Sequence, residues 1–192
     1  MGTITAIKRL PIISVCGGSC SGKTVFAQFF QNAFVLSMDH FYVGKKFMKA
    51  DAKGVYDFDA PESVNIEECA KAVQSLSEGK KTTIPFYDMK LSERTGTQDI
   101  QVNPHHRFIV VEGLFSFYEP LGSLASFKVF LDTPREIRVA RRMLRDQSKG
   151  RSDIETLAWS IVVEKNHAKY VEPMKQAADI IIPFSYNPVS FS

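Results

Sequence analysis

Residues 13–26 read ISVCGGSCSGKTVF: an apolar run, a cluster of glycines and serines, then Lys23 and Thr24 and a return to apolar side chains. The run PIISVCG ahead of the glycines is continuous, the pattern of a strand buried on both faces of a parallel sheet. From Gly17 to Thr24 the chain spells G-x-x-x-x-G-K-T. Glycines let backbone N–H groups turn inward and approach phosphate oxygens where a Cβ would collide. The start of the following helix adds unpaired amides and a positive dipole end. Gly17, Gly18, Ser19, Cys20, Ser21, Gly22, Lys23 and Thr24 are therefore expected to cradle the phosphates of a nucleoside triphosphate. Lys23 would reach the β- and γ-phosphates, and the Thr24 hydroxyl would ligate Mg²⁺. Whether the phosphate goes to water or to another molecule has to be read from the rest of the chain.

Working outward, residues 23–32 read as a helix with Phe26, Phe29 and Phe30 on one face. AFVLSMD is a second strand ending at Asp39, and residues 40–60, polar and Lys-rich, are a loop or partly helical flap. PESVNIEECAKAVQSLSEGK predicts a helix with Pro61 at its start, Gly79 at its end and a buried stripe of Ile66, Cys69, Ala70, Val73 and Leu76. TTIPFYDMKLSERTGTQDIQVN is a hairpin or flap, about residues 80–103. RFIVVEGLF and FKVFLDT are the third and fourth core strands. PREIRVARRMLRD is a helix whose apolar stripe is Ile137, Ala140 and Leu144, with Arg138, Arg141, Arg142 and Arg145 on its other face. A long helix from about Ile154 to Val171 and a last strand, ADIIIP, complete the pattern. Strands alternating with helices mean an α/β fold. The expectation is one domain over 1–192: a mostly parallel five-stranded sheet, helices on both faces, a small hairpin and an Arg-rich lid at about 142–153.

With 192 residues and 44% hydrophobic side chains, the chain can bury a sizeable core. Its 24 basic and 21 acidic residues leave a net charge of +3, too mild for a nucleic-acid coat. No apolar run reaches the roughly 18 residues of a membrane span, and MGTITAIKRLPIIS lacks a signal-peptide pattern. Cys16, Cys20 and Cys69 form no CxxC pair, which fits a reduced cytoplasm. One chain leaves assembly into a homo-oligomer open.

Several residues bear on hydrolysis versus transfer. Ligands of open α/β sheets sit beyond the carboxyl ends of the strands. Asp39, ending the second strand, would face the phosphates there, as an acceptor's base or a Mg²⁺ ligand, unless it only caps the next turn. Glu112, ending the third, would complete the Mg²⁺ shell or be a satisfied strand-end carboxylate. Arg142, Arg145, Lys149 and Arg151 would close positive charge over the γ-phosphate, or form a solvated helix face. Phe58 with Asp59, and Tyr87 with Asp88, pair an aromatic with a carboxylate, suited to a nucleoside or to a core ring beside a turn.

These segments together resemble the uridine kinase family of P-loop kinases. The likeness runs from GGSCSGKT through LSMDHFY, YDFDAPES, IPFYDMKLSERT, IVVEGLFSFY and VFLDTPREIRVARRMLRDQSKGR to ADIIIP. It implies a P-loop NTPase fold and transfer of the γ-phosphate of ATP or GTP, with Mg²⁺, to the 5′-hydroxyl of uridine or cytidine. By the same resemblance, Asp39 is the base, Lys23 and Arg145 serve catalysis, and Thr24, Glu112 and Asp39 form the metal site. Phe58, Asp59, Tyr87, Phe117, Arg142 and Arg151 hold the nucleoside, and Arg145 and Lys149 cover the phosphates. No nucleic-acid or membrane partner is implied. Three places depart from the family pattern: Ser92 stands where a base-reading His is usual, Met89 where an aromatic is, and the lid reads SKGR where ERGR is common. They leave room for another small alcohol as acceptor. A nucleotide-binding regulator and a P-loop hydrolase are the readings from other classes.

Overall fold

The computed structural model describes residues 9–50, 54 and 56–184; the leader reading on residues 1–8 lies outside them. The chain runs β1 (Ile12–Gly17), α1 (Lys23–Gln28), β2 (Ala33–Ser37), α2 (Ile66–Ser77), β3 (Thr82–Asp88), β4 (Glu93–Ile100), β5 (Phe108–Glu112), β6 (Phe127–Asp132), α3 (Arg135–Gln147), α4 (Asp153–Asn166) and β7 (Ile180–Pro183). Five strands form one parallel sheet in the order β2-β5-β1-β6-β7, and β3 and β4 form a separate antiparallel hairpin.

Side chains alternate across a strand, so the sheet feeds two cores. Ile12, Cys16, Leu36, Ile109, Val111 and Phe130 pack with α2 on one face. Val15, Val110, Val129 and Leu131 meet Ala27 of α1 on the other. The sheet and its two covered faces are those the sequence predicts.

Four local expectations are corrected. The first helix is six residues long and does not reach 32. Phe26 and Phe30 pack edge to face, and Phe30 on Phe108, but Phe29 is left 61% exposed. Asn32 takes a left-handed φ of 60°, which turns the chain into β2. Second, Pro61 opens a separate 3₁₀ turn, Pro61–Ser63. Val64 then bridges to Tyr42, so the chain is extended there, and α2 is capped instead by the Asn65 side chain, which accepts from the Glu68 amide. Third, the helix expected from about Ile154 to Val171 is present over that span but changes pitch: α4 carries a Ser152–Glu155 capping box and runs to Asn166, and His167–Val171 continue it as a π turn.

The fourth correction is the largest. In α3 the Ile137, Ala140 and Leu144 stripe is not the buried one: Leu144 is 60% exposed, whereas Arg138, Arg142 and Asp146 are buried. The helix lies over the carboxyl ends of β1 and β6. The neighbours there are backbone carbonyls and carboxylates, which need donors rather than methyl groups.

Candidate active site

The phosphate loop follows β1 and is braced from behind. Lys23, buried, donates through Nζ to the Gly18 carbonyl at 2.9 Å. The Ser21 carbonyl accepts from Thr133 Oγ1 at 3.0 Å and Arg141 Nη1 at 3.1 Å. Gly18 packs so closely on α3 and the π turn that a Cβ there would lie 2.8 Å from Arg138 Cδ and 3.0 Å from His167 Nδ1. Arg138 is itself held by the Thr133 carbonyl, His167 and Glu164. A cavity of about 410 Å³ opens beside this cluster, lined by Thr133, Arg138, Glu164 and His167 among others.

The carboxylates arrive from adjacent strands. Ser37 pairs in register with Glu112, so the turn after β2 and the end of β5 lie side by side. That turn, Met38–Phe41, carries Asp39, whose amide donates to Ser37 Oγ. Gly113 lets it settle: a Cβ there would stand 2.5 Å from the Met38 Cβ. Glu112 is buried and accepts from Thr24 Oγ1 at 3.1 Å. Asp39 is exposed to solvent, although protein surrounds its carboxyl closely on the inner side. Burial pushes its carboxyl up to about 6, and the negative Glu112 adds to the rise, while Lys23 and Arg145 oppose it.

The expected nucleoside residues are largely brought together. Asp59 is half-buried, and burial raises its pKa against the opposing charges of Arg142, Arg145 and Lys23. Its turn is tied to the end of α4 through Asp57, whose carboxylate accepts from Asn166. Arg142 is 4% exposed, and its Nη2 has no partner among the described residues. Phe58, Tyr42 and Tyr87 form a continuous aromatic row with centroids 5.9 and 5.3 Å apart. The Ser92 side chain lies beside the Tyr87 hydroxyl.

Three further placements bear on the family-based reading. Phe117 is packed in the core with Lys128 Nζ 5.8 Å from its ring, so it offers no open surface to the cleft. Met89 stands 57% exposed near the hairpin tip. Lys149 is exposed in the turn between α3 and α4, while Arg145 and Arg151 both bond the buried Asp146. The region expected as a lid is the end of α3, the turn after it and the start of α4. Sequence reasoning missed Arg138, His167 and Glu164 as the group that braces the phosphate loop. The spacing Arg138, Arg142, Asp146 is a helical stripe in its own right and could have shown which face turns inward.

A hydroxyl with strand-end carboxylates is a hard-oxygen set suited to Mg²⁺, which keeps waters and shares its shell with phosphates. Among the described residues no group of three His, Cys, Asp or Glu makes a cage for a metal ion. Thr24, Glu112 and Asp39 fit a partial shell of the shared kind.

A family model for the phosphoribulokinase / uridine kinase family matches residues 12–187. The chain belongs to that family. It is 34% identical over 189 residues to a uridine kinase of Brevibacillus brevis, covering 93% of this chain and 87% of that one. It is also 34% identical over 186 residues to uridine-cytidine kinase A of Dictyostelium discoideum, covering 92% of this chain but only 36% of that protein. The solved phosphoribulokinase of Rhodobacter spheroides superposes with a TM-score of 0.66 at 18% identity, over 92% of this chain and 70% of that one, and shows the same fold. Within this family the sheet, phosphate loop and appended hairpin form a P-loop kinase fold.

Proposed function

We propose that the chain transfers the γ-phosphate of ATP, or of GTP, to the 5′-hydroxyl of uridine or cytidine. The observation that carries this reading is Asp39: a strand-end carboxylate that feels the charges of Glu112, Lys23, Arg145 and Asp59, with Arg142 acting on Asp59 in turn. A switch or a passive binder has no use for a base in that place.

Asp39 accepts the proton of the attacking hydroxyl as a new P–O bond forms to the acceptor and the bond to the β-phosphate oxygen breaks. Lys23 and Arg145 neutralise charge spread over the transferring group. Thr24, Glu112 and Asp39 would hold Mg²⁺, which would supply further positive charge to the transferring phosphate. The Tyr42–Phe58–Tyr87 row offers apolar ring surface to a flat base, and Asp59 offers acceptors to ribose hydroxyls. The setting would be cytoplasmic nucleoside salvage, without a nucleic-acid or membrane partner.

A different nucleoside or small alcohol is the second reading. Ser92 and the exposed Met89 stand where the family pattern has a His and an aromatic, so neither supplies the usual reader for a pyrimidine. The deciding experiment incubates the protein with Mg²⁺, ATP or GTP, and uridine, cytidine, nicotinamide riboside, pantothenate or ribulose 5-phosphate, and weighs the products. A uridine or cytidine monophosphate supports the first reading. Nucleotide consumed equally without acceptor defeats both. Asp39→Asn should keep nucleotide binding and lose roughly 10²–10⁴-fold in turnover.

A further inference from the structure

We propose that Arg94 is a positioning residue that locks the base-bearing turn to the β3–β4 hairpin, so that the acceptor flap and Asp39 move as one piece. Arg94 stands on β4, outside the main sheet. Its Nε donates to the Tyr42 carbonyl at 2.7 Å, and its Nη2 to the Phe41 carbonyl at 3.1 Å. These carbonyls end the turn that carries Asp39. The same Nη2 pairs with Glu68 of α2 at 2.8 Å, so one guanidinium joins the hairpin, the turn and the helix.

Other contacts run along the same seam. The Lys45 amide donates to the Ser92 carbonyl, and the Lys46 amide to Glu93, each at 3.0 Å. Gln98 of β4 meets His40, the neighbour of Asp39, at 3.3 Å. Gly44 presses on Glu93 so closely that a Cβ would lie 2.7 Å from its carboxylate. Arg94 is the member of this seam that grips the turn's end by two consecutive carbonyls. A planar, delocalised fork suits two fixed acceptors, and a lysine ammonium does not reproduce it.

The consequence is mechanical. The hairpin contributes Tyr87 to the aromatic row, and the turn contributes Asp39. A hairpin free of the turn could seat an acceptor without presenting the base. With Arg94 in place, seating the acceptor and presenting the base are one event, which limits loss of phosphate to water.

Two measurements test this. Native-state hydrogen exchange on the full chain compares wild type with Arg94→Lys and Arg94→Met. Protection should fall about tenfold or more at the amides of Lys45 and Lys46, which bond across the seam to Ser92 and Glu93, and stay unchanged in β1 and β5. Unchanged protection at those two amides, or an equal loss throughout the sheet, would overturn the proposal. The second measurement rests on the proposed function and uses uridine with ATP and Mg²⁺. Arg94→Lys should lower kcat about tenfold or more with KM for ATP unaltered, and should cost nothing further in an Asp39→Asn background. An equal penalty in both backgrounds overturns the proposal. Full activity of Asp39→Asn alone would instead remove the functional reading and leave the exchange result to decide.

Discussion

Helices α2 and α3 are twelve and thirteen residues long, and they bury opposite chemistry. In α2 the inward side chains are Cys69, Ala70, Val73 and Leu76, as its periodicity predicts. In α3 the inward side chains are Arg138, Arg142 and Asp146, and its leucine faces water. Both helices are amphipathic. What differs is the surface each one meets: an apolar sheet face in one case, the polar rim of a phosphate loop in the other. Hydrophobic periodicity locates a helix and its two faces. It names the inner face only where the other side of the contact is apolar.

That contrast can be broken in four ways. The largest effect belongs to α2: Leu76→Ala should cost about 2–5 kcal/mol, read as a lowered denaturation midpoint with activity per folded molecule preserved. Replacement at the buried arginine of α3 should do the reverse. Arg142→Met removes a buried Nη2 that has no partner, so stability should hold or rise, while kcat/KM should fall by roughly 10²-fold. A Met variant that unfolds would mean that Arg142 serves the fold as Leu76 does.

The next expectation concerns pH. Asp39 holds its proton in the folded state up to about pH 6, whereas an unfolded aspartate releases it near 4. Its contribution to stability is therefore complete in acid and is lost as pH rises through 6, while kcat/KM rises over the same interval, about tenfold per unit below it. Melting curves and rate profiles of wild type and Asp39→Asn should show these opposed slopes, and the variant should lack both. The smallest effect is Leu144→Ala, which should change stability by less than about 0.5 kcal/mol because the side chain is 60% exposed. A loss of several kcal/mol would show that this face is covered in solution.

The sheet was legible in the sequence because β1, β2, β5 and β6 are short apolar runs bounded by turn residues, and nothing competes with that reading. The phosphate loop was legible because its glycines and lysine stand at fixed spacing. Asp39 and Glu112 followed from their places at strand ends. Less legible was whatever depends on a partner far along the chain. Arg94 sits in a polar hairpin strand, and nothing local says that its fork reaches carbonyls more than fifty positions earlier. Pro61 is a good helix opener, but the pairing of Val64 with Tyr42 overrode it. Phe117 matched a family motif, yet its ring is spent on core packing.

The close seat of Gly18 against Arg138 and His167 ties three positions together across the chain. Glycine at 18 is a steric demand made by two side chains that are themselves held by Thr133, Glu164 and Glu172. In the space of sequences that keep this fold, residue 18 therefore cannot drift alone. A library randomised at position 18 should return only glycine, and one randomised jointly at 18, 138 and 167 should return alanine or serine at 18 only where smaller side chains have replaced both neighbours.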